Sequence, residues 1–290
     1  MSSPDEAERA KEELGWNYEV KDLGEAHMIL GIHIEHDRPA GTILISQCAY
    51  LEQVLKRFGM SDCNNKSMPL PLGIILSKDQ GPKSQDDQKF MADKPYQEVL
   101  GSIMYAQIGT QPDLSYTVST LSKYASNPGI THWQALMHIL RYIKAMLHYK
   151  IMYGGSSFND LRPTGWVDAD YGGDIDSQQS CAGYIFIQAG GPTAWSAQYQ
   201  QIVALSTTEA KYMAVSHATK QILWMYSEME EVGYTQEKPG ILYNNNSGAI
   251  ALTKNTKHNS HIKHINIQHH FIHECVENGE ISVLLKSIVE

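Results

Sequence analysis

Between residues 164 and 285 the hydrophobic pattern changes period again and again, and this rhythm restricts the fold more than any other feature of the chain. TGWV (164–167) reads as a strand that runs into the acidic turn DADYGGDID, and 182–189 (AGYIFIQA), 193–197 and 201–205 read as further strands. A long helix is expected over 206–232, then a strand at 240–243, helices at 246–254 and 264–277, and a last strand at 280–285. Strands in succession, followed by strands alternating with helices, demand a mixed sheet with helices packed on it, an α/β arrangement.

The preceding part reads differently. A short exposed helix is expected over 6–14. In KDLGEAHMILGIHIEHD, after a turn near Leu23-Gly24, Leu30, Ile32 and Ile34 fall on one face of a strand, with Gly31, His33 and Glu35 on the other. Gly41 turns the chain and TILIS (42–46) returns, which makes a hairpin. A helix over 47–58 places Tyr50, Leu51, Val54, Leu55 and Phe58 at helical spacing. Residues 64–93, rich in Pro, Gly, Lys, Asp and Gln, read as a flexible linker, and 154–162 as a shorter one. Helices are expected over 95–105, 112–125 and 132–147. The resulting division is 1–63, a linker at 64–93, a helical unit at 94–153, and an α/β domain at 161–290.

No window approaches 18 apolar residues, and the first residues, MSSPDEAERAKEEL, have no apolar core, so neither a membrane span nor a secretory signal is expected and the reading is intracellular. Cys48, Cys63, Cys181 and Cys275 form no C-x-x-C pair and read as free thiols. The 32 Asp and Glu outnumber the 23 Lys and Arg, for a net charge of -9, which excludes a free-standing basic nucleic-acid binder. Any contact with nucleic acid must be local.

Three residues stand at strand or helix ends, where a sheet can bring them to one cleft: Asp168 in GWVDADYGGD, Glu209 in LSTTEAKYMA and Asn245 in LYNNNSGAI. Each also has a plain reading. DADYGGDID is an acidic turn without the closing Glu of a calcium loop. Ser206-Thr207-Thr208-Glu209 is a capping box, and Asn245 is a good turn residue.

The longer words carry more. GWVDADYGGD, SCAGYIFIQAGGPTAWSAQYQQIVALSTTEAKYMA, LYNNNSGAIALTKN and KHINIQHHFIHE resemble, in order, the ribonuclease H domain of copia-type retrotransposon polyproteins. KDLGEAHMILGIHIEHD, ISQCAYLEQVLKRFGM, YQEVLGSIMYAQIGTQPDLSYTVSTLSKYASNP and HWQALMHILRYIKAM resemble the end of the adjoining reverse transcriptase. The resemblance implies a ribonuclease-H-like mixed sheet preceded by the end of a palm, a thumb and a helical connection with a β-hairpin. It implies cleavage of RNA in RNA–DNA hybrids by two Mg²⁺ ions held by carboxylates, with Mn²⁺ as a substitute. Asp168 matches the first-strand ligand and Glu209 the helix ligand; Asp170 and Asp174 lie in the same loop and rank below Asp168, with Asp174 a candidate further metal ligand. Leu30, Gly31 and Ile32 match the hairpin that grips a primer end.

Several departures count against that reaction. Asn245-Asn246 stands where the family pattern has Asp-Asn, so a carboxylate has become an amide of similar shape and no charge. The fourth Asp, in a segment resembling LADIFTK, is not expected in a chain ending LLKSIVE. Gln111, Asn266, Gln268 and His273 stand where the family carries Arg, Asp, Arg and Arg, which weakens phosphate contacts. The paired aspartates of the palm belong upstream, so no polymerase activity is expected. Six of the 13 histidines lie between His258 and His273; His261 with His264, or His269 with His273, could hold Zn²⁺ or Ni²⁺, against the plainer reading of a helix whose cations have drifted to His. The expectation is an impaired remnant, with a slow residual nuclease or a nucleic-acid-binding protein without chemistry as alternatives.

Overall fold

The computed structural model describes residues 4–155, 161–254 and 266–286, with side chains from residue 8 in the first stretch and from 270 in the last. Helix α1 (Pro4–Asn17) precedes β1 (Met28–Ile29), β2 (Ile32–Asp37), β3 (Thr42–Ser46) and α2 (Cys48–Arg57). Then come α3 (Gln85–Ala92), α4 (Tyr96–Gly109), α5 (Ser115–Ser122), α6 (Ile130–Met146) and β4 (Ile151–Gly154).

Strands β1 to β4 form one antiparallel sheet in sequence order. The hairpin of β2 and β3 is as the alternation implies. Leu30 and Gly31 are not part of a strand, however. Both have positive φ (51° and 72°), and Ile29 pairs with Ile32, so they form a two-residue turn. Leu30 holds this unfavourable conformation with its carbonyl accepting the Tyr105 hydroxyl. A second difference is β4, at the end of a segment expected to be helical. Its four residues are too few to show a period, yet they pair with β3, Ile45 opposite Ile151 and Thr42 opposite Gly154. Gly154 is required there: its φ is +85°, and a Cβ would lie 2.2 Å from the Gly41 carbonyl oxygen.

The helices α2, α4, α5 and α6 bury Leu51, Val99, Ile103, Leu121, Leu136 and Leu140 in a common core. Residues 64–93 are folded rather than linker-like. Ser77 caps a 3-10 turn at Lys78–Gln80, Ser84 caps α3 by accepting from the Asp87 amide at 3.0 Å, and Leu76 and Met91 are buried. The polar composition that suggests flexibility is here a set of caps.

The second sheet contains β5 (Thr164–Ala169), β6 (Cys181–Gln188), β7 (Gly191–Tyr199), β8 (Gly240–Asn244) and β9 (Ile281–Leu285), in the order β7-β6-β5-β8-β9. The first three strands pair antiparallel, and β5, β8 and β9 run parallel. Helices α7 (Thr207–Glu231), α8 (Ser247–Lys254) and α9 (Asn266–Glu277) pack against it. Phe186, Tyr212, Val215, Ala218, Ile222 and Leu242 are fully or almost fully buried between sheet and helices. This is the ribonuclease-H-like mixed sheet with flanking helices that the resemblance implies. Residues 201–205 are not a strand: Ile202, Val203 and Leu205 are exposed and the segment is irregular. The Leu205 amide is spent on the Glu209 carboxylate instead of on a sheet.

Candidate functional site

Strands β5 and β8 are adjacent and parallel, with Trp166 opposite Tyr243, so they end on the same edge. Parallel strand ends are where an α/β sheet gathers its polar side chains. Asp168 and Asn245 meet there, the Asn245 Nδ2 donating to Asp168 Oδ2 at 3.4 Å. The neighbouring asparagines are occupied elsewhere. Buried Asn244 donates to the Val167 carbonyl at 3.1 Å and accepts from the Asn246 amide at 2.8 Å, which clips β8 to β5. Asn246 accepts from the Ala249 amide at 2.9 Å and so caps α8. Only the middle asparagine is directed at Asp168.

The other partner of Asp168 is a cation. Lys211, from the start of α7, forms an ion pair with Asp168 Oδ1 and donates to Asn245 Oδ1. Its side chain is 16% exposed, against 46% for Asp168. Asp168 Oδ1 also accepts from the Ala169 amide at 2.8 Å. Sequence reasoning missed Lys211. A lysine in a helix reads as solvated, and only the contact across to β5 and β8 reveals it.

Glu209 is buried in the first turn of α7. Ser206 Oγ accepts from the Glu209 amide at 3.1 Å, and Glu209 Oε2 accepts from the Leu205 amide at 2.8 Å. The capping-box reading of STTE therefore has a physical counterpart, displaced by one residue: the carboxylate reaches the amide before the N-cap. Asp174 is taken up in another contact. It is buried, bound by the Lys123 ammonium of the connection and by the Ser177 hydroxyl. Burial pushes its pKa up, but Lys123 and Ser177 outweigh this and hold it below the usual carboxylate range. Asp170 is the opposite case. Burial raises its pKa, while its Oδ1 accepts from the Cys181 amide at 2.6 Å. Asp176 completes the loop's attachment by accepting from the Lys78 amide at 2.9 and 3.1 Å. The acidic turn thus fastens the α/β sheet to the helical unit.

A cleft of about 620 Å³ opens beside the strand ends, with Asp168, Asp170 and Asn245 at its rim and Trp166, Trp195 and Tyr243 on its wall. Lys286 lies over the Trp166 and Tyr243 rings, at 5.3 and 4.8 Å from their centroids. Glu209 and Asp174 do not line this cleft. Leu30, Gly31 and Ile32 belong to the other sheet, at an exposed turn and the start of β2. His261 and His264 lie outside the described residues, as does the side chain of His269.

These residues do not fit a pair of Mg²⁺ ions. Such ions repel each other and need several anionic oxygens. Here one carboxylate, Asp168, is already neutralised by an ammonium, residue 245 is an uncharged amide, and Glu209 accepts a backbone amide. Among the described residues, no three His, Cys, Asp or Glu side chains group to hold a metal. No described helix is long and apolar enough to cross a membrane.

Residues 2–71 match the family model for reverse transcriptase (RNA-dependent DNA polymerase). Over 276 residues the chain is 37% identical to the retrovirus-related Pol polyprotein from transposon TNT 1-94 of Nicotiana tabacum, covering 95% of this chain and 20% of that protein. It is 42% identical over 135 residues to secreted RxLR effector protein 161 of Plasmopara viticola, 47% of this chain and 94% of that one. Two solved structures of LC11-RNase H1, isolated from compost by a metagenomic approach, overlay at TM-scores of 0.34 and 0.33 with 11% and 12% identity. They cover 44% of this chain and 86% and 85% of theirs, and the second holds an RNA/DNA hybrid. The chain spans about a fifth of the length of the transposon polyproteins it matches.

Proposed function

Because the chain belongs to the family of retrovirus-related Pol polyproteins from transposons, we propose that it is a ribonuclease-H-like remnant whose ancestral reaction is impaired. That reaction is cleavage of the RNA strand in an RNA–DNA hybrid during reverse transcription. Residues 161–290 are the nuclease-derived domain, and 1–153 derive from the end of a reverse transcriptase.

The observation that carries this reading is the pairing of Asp168 with Asn245 at the ends of β5 and β8. Hydrolysis of a phosphodiester by this architecture needs concentrated negative charge to hold Mg²⁺ or Mn²⁺, which would activate water and stabilise the leaving oxygen. An amide at position 245 supplies an oxygen of the right shape without the charge. Asp168 then keeps a local role, ordering the strand end through the Ala169 amide and the Asn245 side chain. Glu209 keeps α7 in register through its cap. Both residues contribute to the fold by the same hydrogen bonds that keep them from acting as free ligands.

The test is cleavage of a labelled RNA–DNA hybrid by the purified chain in Mg²⁺ and in Mn²⁺. No cleavage above background is expected. Robust turnover abolished by Asp168→Ala would refute the impairment. Retention of hybrid in a binding assay without cleavage, weakening steeply with salt, would identify a binding protein that keeps the fold.

A further inference from the structure

We infer that Lys211 is this site's resident cation: its tethered ammonium stands between Asp168 and the residue-245 side chain and closes the site to divalent ions. The inference rests on reading Asp168 and Asn245 as the remnant of a hydrolase site, and it concerns a residue that reading does not use.

Three observations carry it. Lys211 contacts both side chains at once, with an ion pair to Asp168 Oδ1 and a hydrogen bond to Asn245 Oδ1. Its stem is held by its helix: α7 starts at a Ser206 cap, and the flanking Ala210 and Tyr212 are fully buried. With its side chain 16% exposed, Lys211 is more enclosed than the Asp168 carboxylate it binds. Finally, the carboxylate, ammonium and amide in contact sum to no charge, and Asp170, the other acid of the cleft, accepts from the Cys181 amide.

Restoring the carboxylate alone therefore does not restore the metal. In Asn245→Asp the ammonium would bridge two carboxylates and be held more tightly. A divalent ion about 4 Å from an ammonium is disfavoured about thirtyfold even with water-like screening. Opening the site requires the loss of Lys211 as well.

The experiment titrates Mn²⁺ into the wild-type chain, Asn245→Asp, Lys211→Gln and the double variant, with bound Mn²⁺ read by electron paramagnetic resonance. Melting temperature is followed with and without the ion. The wild type is expected to show no saturable site, and the double variant to bind on the order of thirtyfold more tightly than Asn245→Asp. Asn245→Asp with Lys211→Arg, which keeps a cation, should remain closed. Lys211→Met replaces Lys211→Gln if the latter melts below the wild type. Saturable binding in Asn245→Asp equal to that of the double variant overturns the inference, as does wild-type binding that removal of Lys211 leaves unchanged. A double variant that binds Mn²⁺ but leaves RNA–DNA hybrids intact supports the role of Lys211 and counts against the ancestral reaction.

Discussion

Replacing His132 with phenylalanine keeps a ring of similar size and removes two hydrogen bonds from the centre of the helical unit. His132 is fully buried in the first turn of α6 and stacks on Tyr124, with ring centroids 4.0 Å apart and planes 7° from parallel. Its Nδ1 accepts from the Gly129 amide at 2.9 Å, which fixes the neutral tautomer with the proton on Nε2, and Nε2 donates to the Ser77 carbonyl at 3.1 Å. His132→Phe leaves the buried Gly129 N–H without its partner, while the Ser77 carbonyl keeps the Gln80 amide, at a cost of about 1–3 kcal/mol. Burial also holds the His132 pKa below its ordinary value of 6.5. Well above pH 6.5 neither the folded nor the unfolded chain carries a proton there, and the group contributes no pH dependence. Below it the unfolded chain takes up a proton that the folded chain refuses, so stability falls with falling pH until the folded pKa is reached. Between pH 6.5 and 5.5 this loss amounts to at most about 1 kcal/mol. Hydrogen exchange of the α6 amides measures it, because it reports the opening free energy of that unit apart from the second core. The wild type should lose protection across this interval and His132→Phe should lose less, by up to about 1 kcal/mol. Equal slopes in the two proteins would refute the assignment of a buried neutral imidazole.

Two further substitutions test the contacts that join the parts of the molecule. Lys123→Met leaves the buried Asp174 carboxylate without its counter-ion and should cost about 3 kcal/mol, seen as a lower urea midpoint at pH 7. Because Lys123 and Ser177 hold the Asp174 pKa down, its contribution is present above the unfolded value of 3.8 and is lost as pH falls through the folded one. A variant with the same acid limb as the wild type would show that Asp174 is not the responsible group. Gly154→Ala places a Cβ 2.2 Å from the Gly41 oxygen at a φ of +85° and should cost about 2–4 kcal/mol, with early exchange of the β3 and β4 amides. An unchanged melting temperature would mean that β4 is not docked on β3.

Much of this fold could be read because its elements are long or strongly periodic. Residues 164–169 alternate buried and half-buried as the sequence pattern implies, and α7 spans nearly the whole expected interval. What could not be read depends on partners far away in the chain. The four residues of β4 become a strand only because β3 offers an edge. Leu30-Gly31 has no Asn-Gly signature to announce a turn, and residues 201–205 have the composition of a strand but no neighbour to pair with. The site divides in the same way. Asp168 and Asn245 were visible because strand ends are predictable, whereas Lys211 and the contact between Asp174 and Lys123 are properties of packing between elements.

That division bears on how the acids at these strand ends are held in the fold. A cluster of unpaired carboxylates at strand ends is a liability without its metal, since like charges at close range repel. In this chain each acid of the region has an alternative partner: Asp168 has Lys211, Glu209 the Leu205 amide, Asp170 the Cys181 amide, Asp174 Lys123, and Asp176 the Lys78 amide. The uncharged amide of Asn245 stands at the same edge and accepts a hydrogen bond from the same lysine. The local structure is consequently balanced without any ion. Addition of a chelator should therefore leave the melting temperature of the wild-type chain unchanged, whereas a fall of several degrees would mean that a bound metal still supports these strand ends.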